Sequence, residues 1–374
     1  MINRPIFFEQ NRVARVYTGG KLFSDFLGDG STDGFFPEEW IASAVRALNK
    51  GSQDPKEGVS KPVDSELYFD DLLAANKAEM LGPCGKLRIL VKFLDSAIRL
   101  PAQAHPDKAF SREYFNSEYG KTESWIVLGL RENAKIFFGF KDGVDENAFR
   151  RAIEDSETDK DAMEGLMESI TPKVGDVILV PAKTVHAIGA GCLILEVQEP
   201  TDFTIQPERW CGDYKLSDEE MYIGLDKDTA VKCFNFGKCP SPIVEPKTVR
   251  ATDGVNVESL IDEALTPCFV INRIKLDGGR YALDVKDSYA VYIVTEGEGE
   301  IVGDGYSHAL RRGDYFFMPY SAMGCFTVSG SIEIVEFVSI KVGFIDYKII
   351  KVSIPTIESI NFLVLLQAPY IIIR

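Results

Sequence analysis

Histidine is scarce in this chain, with three residues in 374. Any site built on imidazole therefore has almost no choice of donor, and the setting of each histidine carries weight. Cys-x-x-Cys pairs are missing. The seven cysteines (Cys84, Cys192, Cys211, Cys233, Cys239, Cys268 and Cys325) are scattered and odd in number. That argues against a disulfide framework and fits reduced cytosolic thiols. No stretch reaches the ~20 apolar residues that cross a bilayer, and the opening Met1–Glu9 segment holds no apolar run of signal-peptide length. A soluble, cytoplasmic protein is expected. There is no Gly-rich loop of the nucleotide-binding type, so ATP or a dinucleotide is not suggested. Positive charge is also in deficit. The formal net charge of −16 argues against nucleic acid or an anionic membrane as the main partner. A small anionic substrate stays open, because a local Lys/Arg cluster can reverse the field inside a pocket.

Two of the histidines sit in segments that read as ligand-bearing. His105 lies in Gln103-Ala104-His105-Pro106-Asp107-Lys108, and His186 follows Pro181-Ala182-Lys183-Thr184-Val185. Between them, Gly120-Lys121-Thr122-Glu123 offers a carboxylate. Imidazole, carboxylate and side-chain amide suit a borderline divalent ion such as zinc. A single histidine in an apolar strand is usually a core residue; two of them with Gln-x-His and a downstream Glu change that balance. Strand alternation puts Gln103 and His105 on one face, and Lys121 and Glu123 on one face.

The pattern predicts a mainly β protein with helical insertions. Residues 1–60 read as short strands and turns, including Phe35-Phe36-Pro37-Glu38-Glu39-Trp40. A helix is expected from about Ser65, as cap, to Leu81, stopped by Gly82-Pro83. Strands are expected over Leu87–Leu94, Ile98–His105 and Glu123–Leu128. Residues 142–170 read as a charged helical insertion, with one helix capped by Asp145 and another starting at Asp159 or Asp161. Gly175-Asp176-Val177-Ile178-Leu179-Val180-Pro181 resumes the β pattern, and Gly313-Asp314-Tyr315-Phe316-Phe317-Met318-Pro319 repeats it. His186 stands five residues after the first Pro; Gly324 holds that place in the second copy. This predicts two related β-barrels, one of which keeps its ligand. The expected divisions are 1–238 (catalytic), 239–340 (second barrel) and an apolar tail, 341–374, without an assigned role. His308 has no Gln-x-His context and reads as structural.

The Gly–Pro–His unit resembles the second motif of the cupin superfamily, whose fold is a jelly-roll barrel. The fuller set resembles the type I, zinc-dependent mannose-6-phosphate isomerases. The likeness covers most of residues 1–340 and rests on Gln103 to Lys108, Gly120 to Glu123, the Glu196 to Asp202 region and the early Trp40 segment. It implies that Gln103, His105, Glu123 and His186 hold one Zn2+. It also implies functional roles for Lys121 and for Glu196, and interconversion of mannose 6-phosphate and fructose 6-phosphate in carbohydrate metabolism. The chain departs from the family at two places, with Pro101 where Ser is common and Gln206 where Arg is usual.

Such an isomerisation moves a proton between adjacent carbons through a cis-enediol, leaving negative charge on oxygen that a zinc ion can stabilise. Lys121 is expected to stabilise the same charge, Glu196 to act as the base, and Arg209 with Lys121 to meet the substrate phosphate. Two rivals follow from the same residues: an iron-dependent cupin dioxygenase, and a metal-containing sugar-phosphate sensor without turnover.

Overall fold

The computed structural model describes residues 2–340 and the backbone of two short antiparallel strands, Leu365–Gln367 and Tyr370–Ile372. Apart from those two strands, the expected apolar tail lies outside the described residues.

The site is carried by a seven-stranded antiparallel sheet. Its strands run, in spatial order, Ile243–Val244, Val177–Val180, Glu123–Leu130, Cys192–Gln198, Leu90–Ser96, Glu38–Ile41 and Arg12–Val13. One face packs on a three-stranded sheet of Met167–Ile170, Ile136–Phe140 and His186–Ile188. Trp125, Val127, Ile178 and Ile194 meet Ile136, Phe138, Ala187 and Ile188 in that core. The other face presents Val91, Phe93, Ile126, Leu193 and Leu195 to Ile271, Val291, Phe317, Val335 and Phe337. Those partners belong to an eight-stranded sheet centred on Phe269–Ala282, Ala290–Gly303 and Thr327–Ser339. Alternation explains why a sheet can be buried on both faces: Val291 and Ile293 face the first sheet while Tyr292 and Val294 line a separate core.

The fold is mainly β, and neither large sheet closes on itself. Strands also cross the expected boundary at residue 238. Ile6–Phe7 pairs with Tyr315–Met318, and Ile243–Val244 pairs with Val177–Val180. The repeated Gly-Asp turn holds: Gly175 has φ 92° and Gly313 φ 94°, a left-handed conformation that favours glycine.

Three local expectations need correction. The helix over 65–81 is broken into Phe69–Ala75 and Lys77–Leu81 at Asn76, and Ser65 does not cap it; its hydroxyl accepts from Leu67 N–H at 3.0 Å. Within 142–170, Asp145 caps the helix Glu146–Asp155 as expected. The second helix is replaced by a single 3₁₀ turn, Glu164–Leu166, and the strand Met167–Ile170, which finds a partner in Ile136–Phe140. Pairing with that strand overrides a weak helical period interrupted by Gly165. Residues 98–105 form only isolated bridges, Gln103 with His186 and Ala104 with Ile205. Among the described residues, no helix is long and apolar enough to cross a membrane.

Candidate metal centre

His105, Glu123 and His186 converge, with one ligand atom from each lying within 4.8 Å of the others. His105 Nε2 is 3.0 Å from Glu123 Oε1, and His186 Nε2 is 3.8 Å from Glu123 Oε2. All three are buried. Their order comes from the backbone. Gln103 and His186 exchange both N–H···O bonds at 2.9 Å, which draws the His105 segment against the His186 strand. His105 Nδ1 lies 3.0 Å from the Phe203 carbonyl, and His186 Nδ1 lies 2.9 Å from the Thr184 carbonyl. A nitrogen facing a carbonyl carries the proton, so each Nε2 presents a lone pair toward Glu123.

The electrostatics suit a cation. Burial pushes His105 down to about 3 and also lowers His186, so both rings are neutral near pH 7. Burial opposes charge on Glu123, but the groups around it, the Lys121 ammonium at 3.1 Å among them, outweigh it and hold the carboxyl well below the usual range. His186 Nε2 is a buried nitrogen with no hydrogen-bond partner. A divalent ion would complete this donor set, two neutral imidazoles and one carboxylate. Gln103 and Glu123 line one cavity, which has a volume of about 560 Å³.

Lys121 also lies in the cavity wall. Its Nζ is 3.1 Å from Glu123 Oε1, 3.4 Å from His105 Nε2 and 3.2 Å from Thr204 Oγ1. Glu196 is buried nearby, pushed up to about 8 first by burial and then by the Glu123 charge. Its Oε1 makes no hydrogen bond, although Lys92 Nζ stands 3.4 Å away.

Arg209 is placed elsewhere. It lines a separate depression, where its Nη2 pairs with Glu157 at 2.6 Å and Asp218 at 2.8 Å, and its Nη1 donates to Leu216 O. Two carboxylates and a carbonyl satisfy the guanidinium, and it is not among the residues lining the cavity beside Glu123.

A second constellation was missed. Lys92 lies between Glu196 and Glu38, 3.5 Å from Glu38 Oε2. Glu38 also accepts from Tyr17 OH and Trp40 Nε1, each at 2.6 Å, and from Arg15 Nε at 2.9 Å; Arg15 in turn reaches Asp202. Its signal was a lone charge inside an apolar strand: Lys92 within Leu90–Leu94 and Glu196 within Leu193–Val197. Antiparallel register sets Lys92 directly opposite both Glu196 and Trp40.

Fold and site together define a β-sheet protein with a buried two-histidine, one-carboxylate metal-binding centre. The sequence profile of the mannose-6-phosphate isomerase cupin domain matches residues 264–339. The mannose-6-phosphate isomerase ManA of Bacillus subtilis is 30% identical over 336 residues, covering 89% of this chain and 98% of that protein. The mannose-6-phosphate isomerase of Streptococcus mutans is 28% identical over 337 residues, covering 88% and 97%. A crystal structure of the Bacillus subtilis mannose 6-phosphate isomerase superposes with a TM-score of 0.71 at 23% identity, covering 89% of this chain and 99% of that one. The chain belongs to the mannose-6-phosphate isomerase family.

Proposed function

We propose that this protein interconverts mannose 6-phosphate and fructose 6-phosphate, with Gln103, His105, Glu123 and His186 holding a zinc ion. The observation that carries the reading is Glu196: a buried carboxylate, pushed up to about 8, whose Oε1 makes no hydrogen bond and which lines the same cavity as Glu123. A general base near the working pH is what proton transfer between carbons requires. The ion supplies Lewis-acid polarisation of the substrate oxygens.

In this reading Glu196 removes the proton from C2 of the open-chain aldose. The electron pair forms the C1–C2 double bond of a cis-enediol, and the C1 oxygen takes up charge facing the Lys121 ammonium. Glu196 returns its proton to C1, while the O2 hydroxyl proton passes to O1, giving the ketose. Lys92 fixes the carboxylate and favours its charged form; Glu38, itself held by Arg15 and Tyr17, pairs with Lys92 in turn. The buried walls of Trp40 and Trp125 limit water around these charges.

We read the two halves as cupin-like jelly rolls open at an edge, and place the reaction in the cytoplasm, where seven free thiols stay reduced. A coupled assay for fructose 6-phosphate on zinc-loaded protein tests the function. Binding of mannose 6-phosphate without ketose formation favours the sensor, and oxygen uptake the dioxygenase.

A further inference from the structure

A substrate phosphate is a dianion and needs a fixed cation, and Arg209 is committed outside the cavity. Among the described residues, four cationic side chains line it: Arg15, Lys50, Lys92 and Lys121. Three of these are held against carboxylates, Lys92 and Lys121 buried and Arg15 mostly so. Arg15 is held by Glu38 and Asp202, Lys92 by Glu38 and Glu196, and Lys121 by Glu123 beside His105. Lys50 differs: its side chain is 55% exposed and its ammonium is lightly held, 3.1 Å from Ser217 Oγ and 3.5 Å from Glu220 Oε2.

The backbone around Lys50 is nonetheless fixed. Leu48 N–H donates to Asp202 Oδ2 at 2.7 Å. Asn49 accepts from Arg15 Nη1 at 2.9 Å and donates to the Ala14 carbonyl at 2.8 Å. The chain just before Lys50 is thus pinned to the cavity rim while its side chain stays exposed to solvent. Its carboxylate neighbour has other partners: Glu220 already accepts from Ser217 N–H at 2.8 Å, Ser217 Oγ at 2.6 Å and Tyr214 OH at 2.7 Å. Exchanging a long, exposed contact with Glu220 for a phosphate oxygen costs little.

We infer that Lys50, with the Ser217 hydroxyl beside it, is the phosphate-gripping subsite of this cavity. The inference rests on the isomerase reading. A hexose 6-phosphate carries its phosphate at the opposite end of the carbon chain from the C1–C2 pair, so a cation other than Lys121 must meet it, and Lys50 lines the same cavity as Glu123. Lys50 therefore sets specificity for phosphorylated over free sugar and takes no part in proton transfer.

The test uses the full-length, zinc-loaded protein. Lys50→Met is expected to raise KM for mannose 6-phosphate by about tenfold, with kcat within about twofold of wild type, the loss of one exposed charge contact. It should weaken competitive inhibition by inorganic phosphate by a similar factor and flatten the dependence of KM on salt. Lys50→Arg should restore most of the KM. Calorimetric titration of inorganic phosphate into wild type and Lys50→Met reads the same subsite without turnover. Unchanged KM and unchanged phosphate inhibition in Lys50→Met, in an enzyme that turns over normally, would overturn the inference. Failure of the wild-type enzyme to form ketose would overturn the underlying reading instead, and the titration then judges Lys50 by itself.

Discussion

Lys92 and Glu196 sit directly opposite each other on neighbouring antiparallel strands, with Nζ 3.4 Å from Oε1 and both side chains buried. Removing the cation leaves a buried carboxylate facing Glu123 with only the Lys121 charge to offset it. Lys92→Met should therefore destabilise the fold by roughly 3–5 kcal/mol, the cost of breaking a buried pair from one side. It should also lower kcat by on the order of 10²-fold, since the base is pushed further toward its neutral form. Thermal unfolding and steady-state kinetics check the two effects separately.

The same carboxylate sets a pH dependence. Burial first, then the Glu123 charge, raises Glu196 to about 8. The folded state thus binds its proton more tightly than the unfolded chain. The stability tied to that proton is complete below the ordinary carboxylate range and is lost as pH rises toward 8. Activity runs the other way, because the base works when ionised. A bound cation offsets Glu123, so kcat/KM of the metal-loaded enzyme should climb with pH through a midpoint below about 8. In Lys92→Met that midpoint should move upward. A pH–rate profile that is flat from acid to neutral would contradict Glu196 as base.

Metal removal should be cleanly reversible. Because burial holds His105 down to about 3, protons do not compete for that ring near neutrality, and a rise in metal affinity with pH in that range should follow Glu196 rather than His105. Chelation should lower the melting temperature, since an ion at 1,000 times its Kd adds about 4 kcal/mol to the folded state. His105→Ala should abolish that difference together with activity. Metal analysis alongside calorimetry measures both.

Lys121 invites a less obvious outcome. Its ammonium is within 3.4 Å of two donor atoms, His105 Nε2 and Glu123 Oε1, so it opposes a second cation there. Lys121→Met should bind metal more tightly than wild type while kcat falls by on the order of 10²–10³-fold, the effect of losing one charge stabiliser. Weaker metal binding in this variant would show that Lys121 supports the centre in some other way.

Arg209→Ala should leave KM for mannose 6-phosphate unchanged and cost no more than about 1 kcal/mol, as its carboxylate partners are largely exposed. A large rise in KM would return Arg209 to the substrate site.

The segments that converge could be read from the sequence because rare residues leave few alternatives: His105, Glu123 and His186 stood out against three histidines in all, and Gln103 lines the cavity beside Glu123. The repeated Gly-Asp turn was visible too, since Gly175 and Gly313 need a left-handed backbone. Arg209 misled because nearness in chain to Asp202 says nothing of its partners; Glu157, some 50 residues earlier, captures it. Lys92 went unnoticed because its meaning lies in cross-strand register with Glu196 and Trp40, which strand spacing does not reveal. Arg15 and Lys50 are further from reach still, as they enter the cavity through loop contacts to Asp202, Ser217 and Glu220.

Glu38 and Glu39 are neighbours on one short strand that serve different sides of it. Glu38 grips Lys92 and Arg15 in the cavity, whereas Glu39 receives Tyr315 OH at 2.6 Å and Asn11 N–H at 2.8 Å. A residue more than 270 positions downstream thereby steadies the strand that presents Glu38. Shortened versions of the enzyme ending near residue 238 would lose that anchor and bare the apolar back of the catalytic sheet, so engineering for a smaller catalyst should begin from surface loops and keep both halves together.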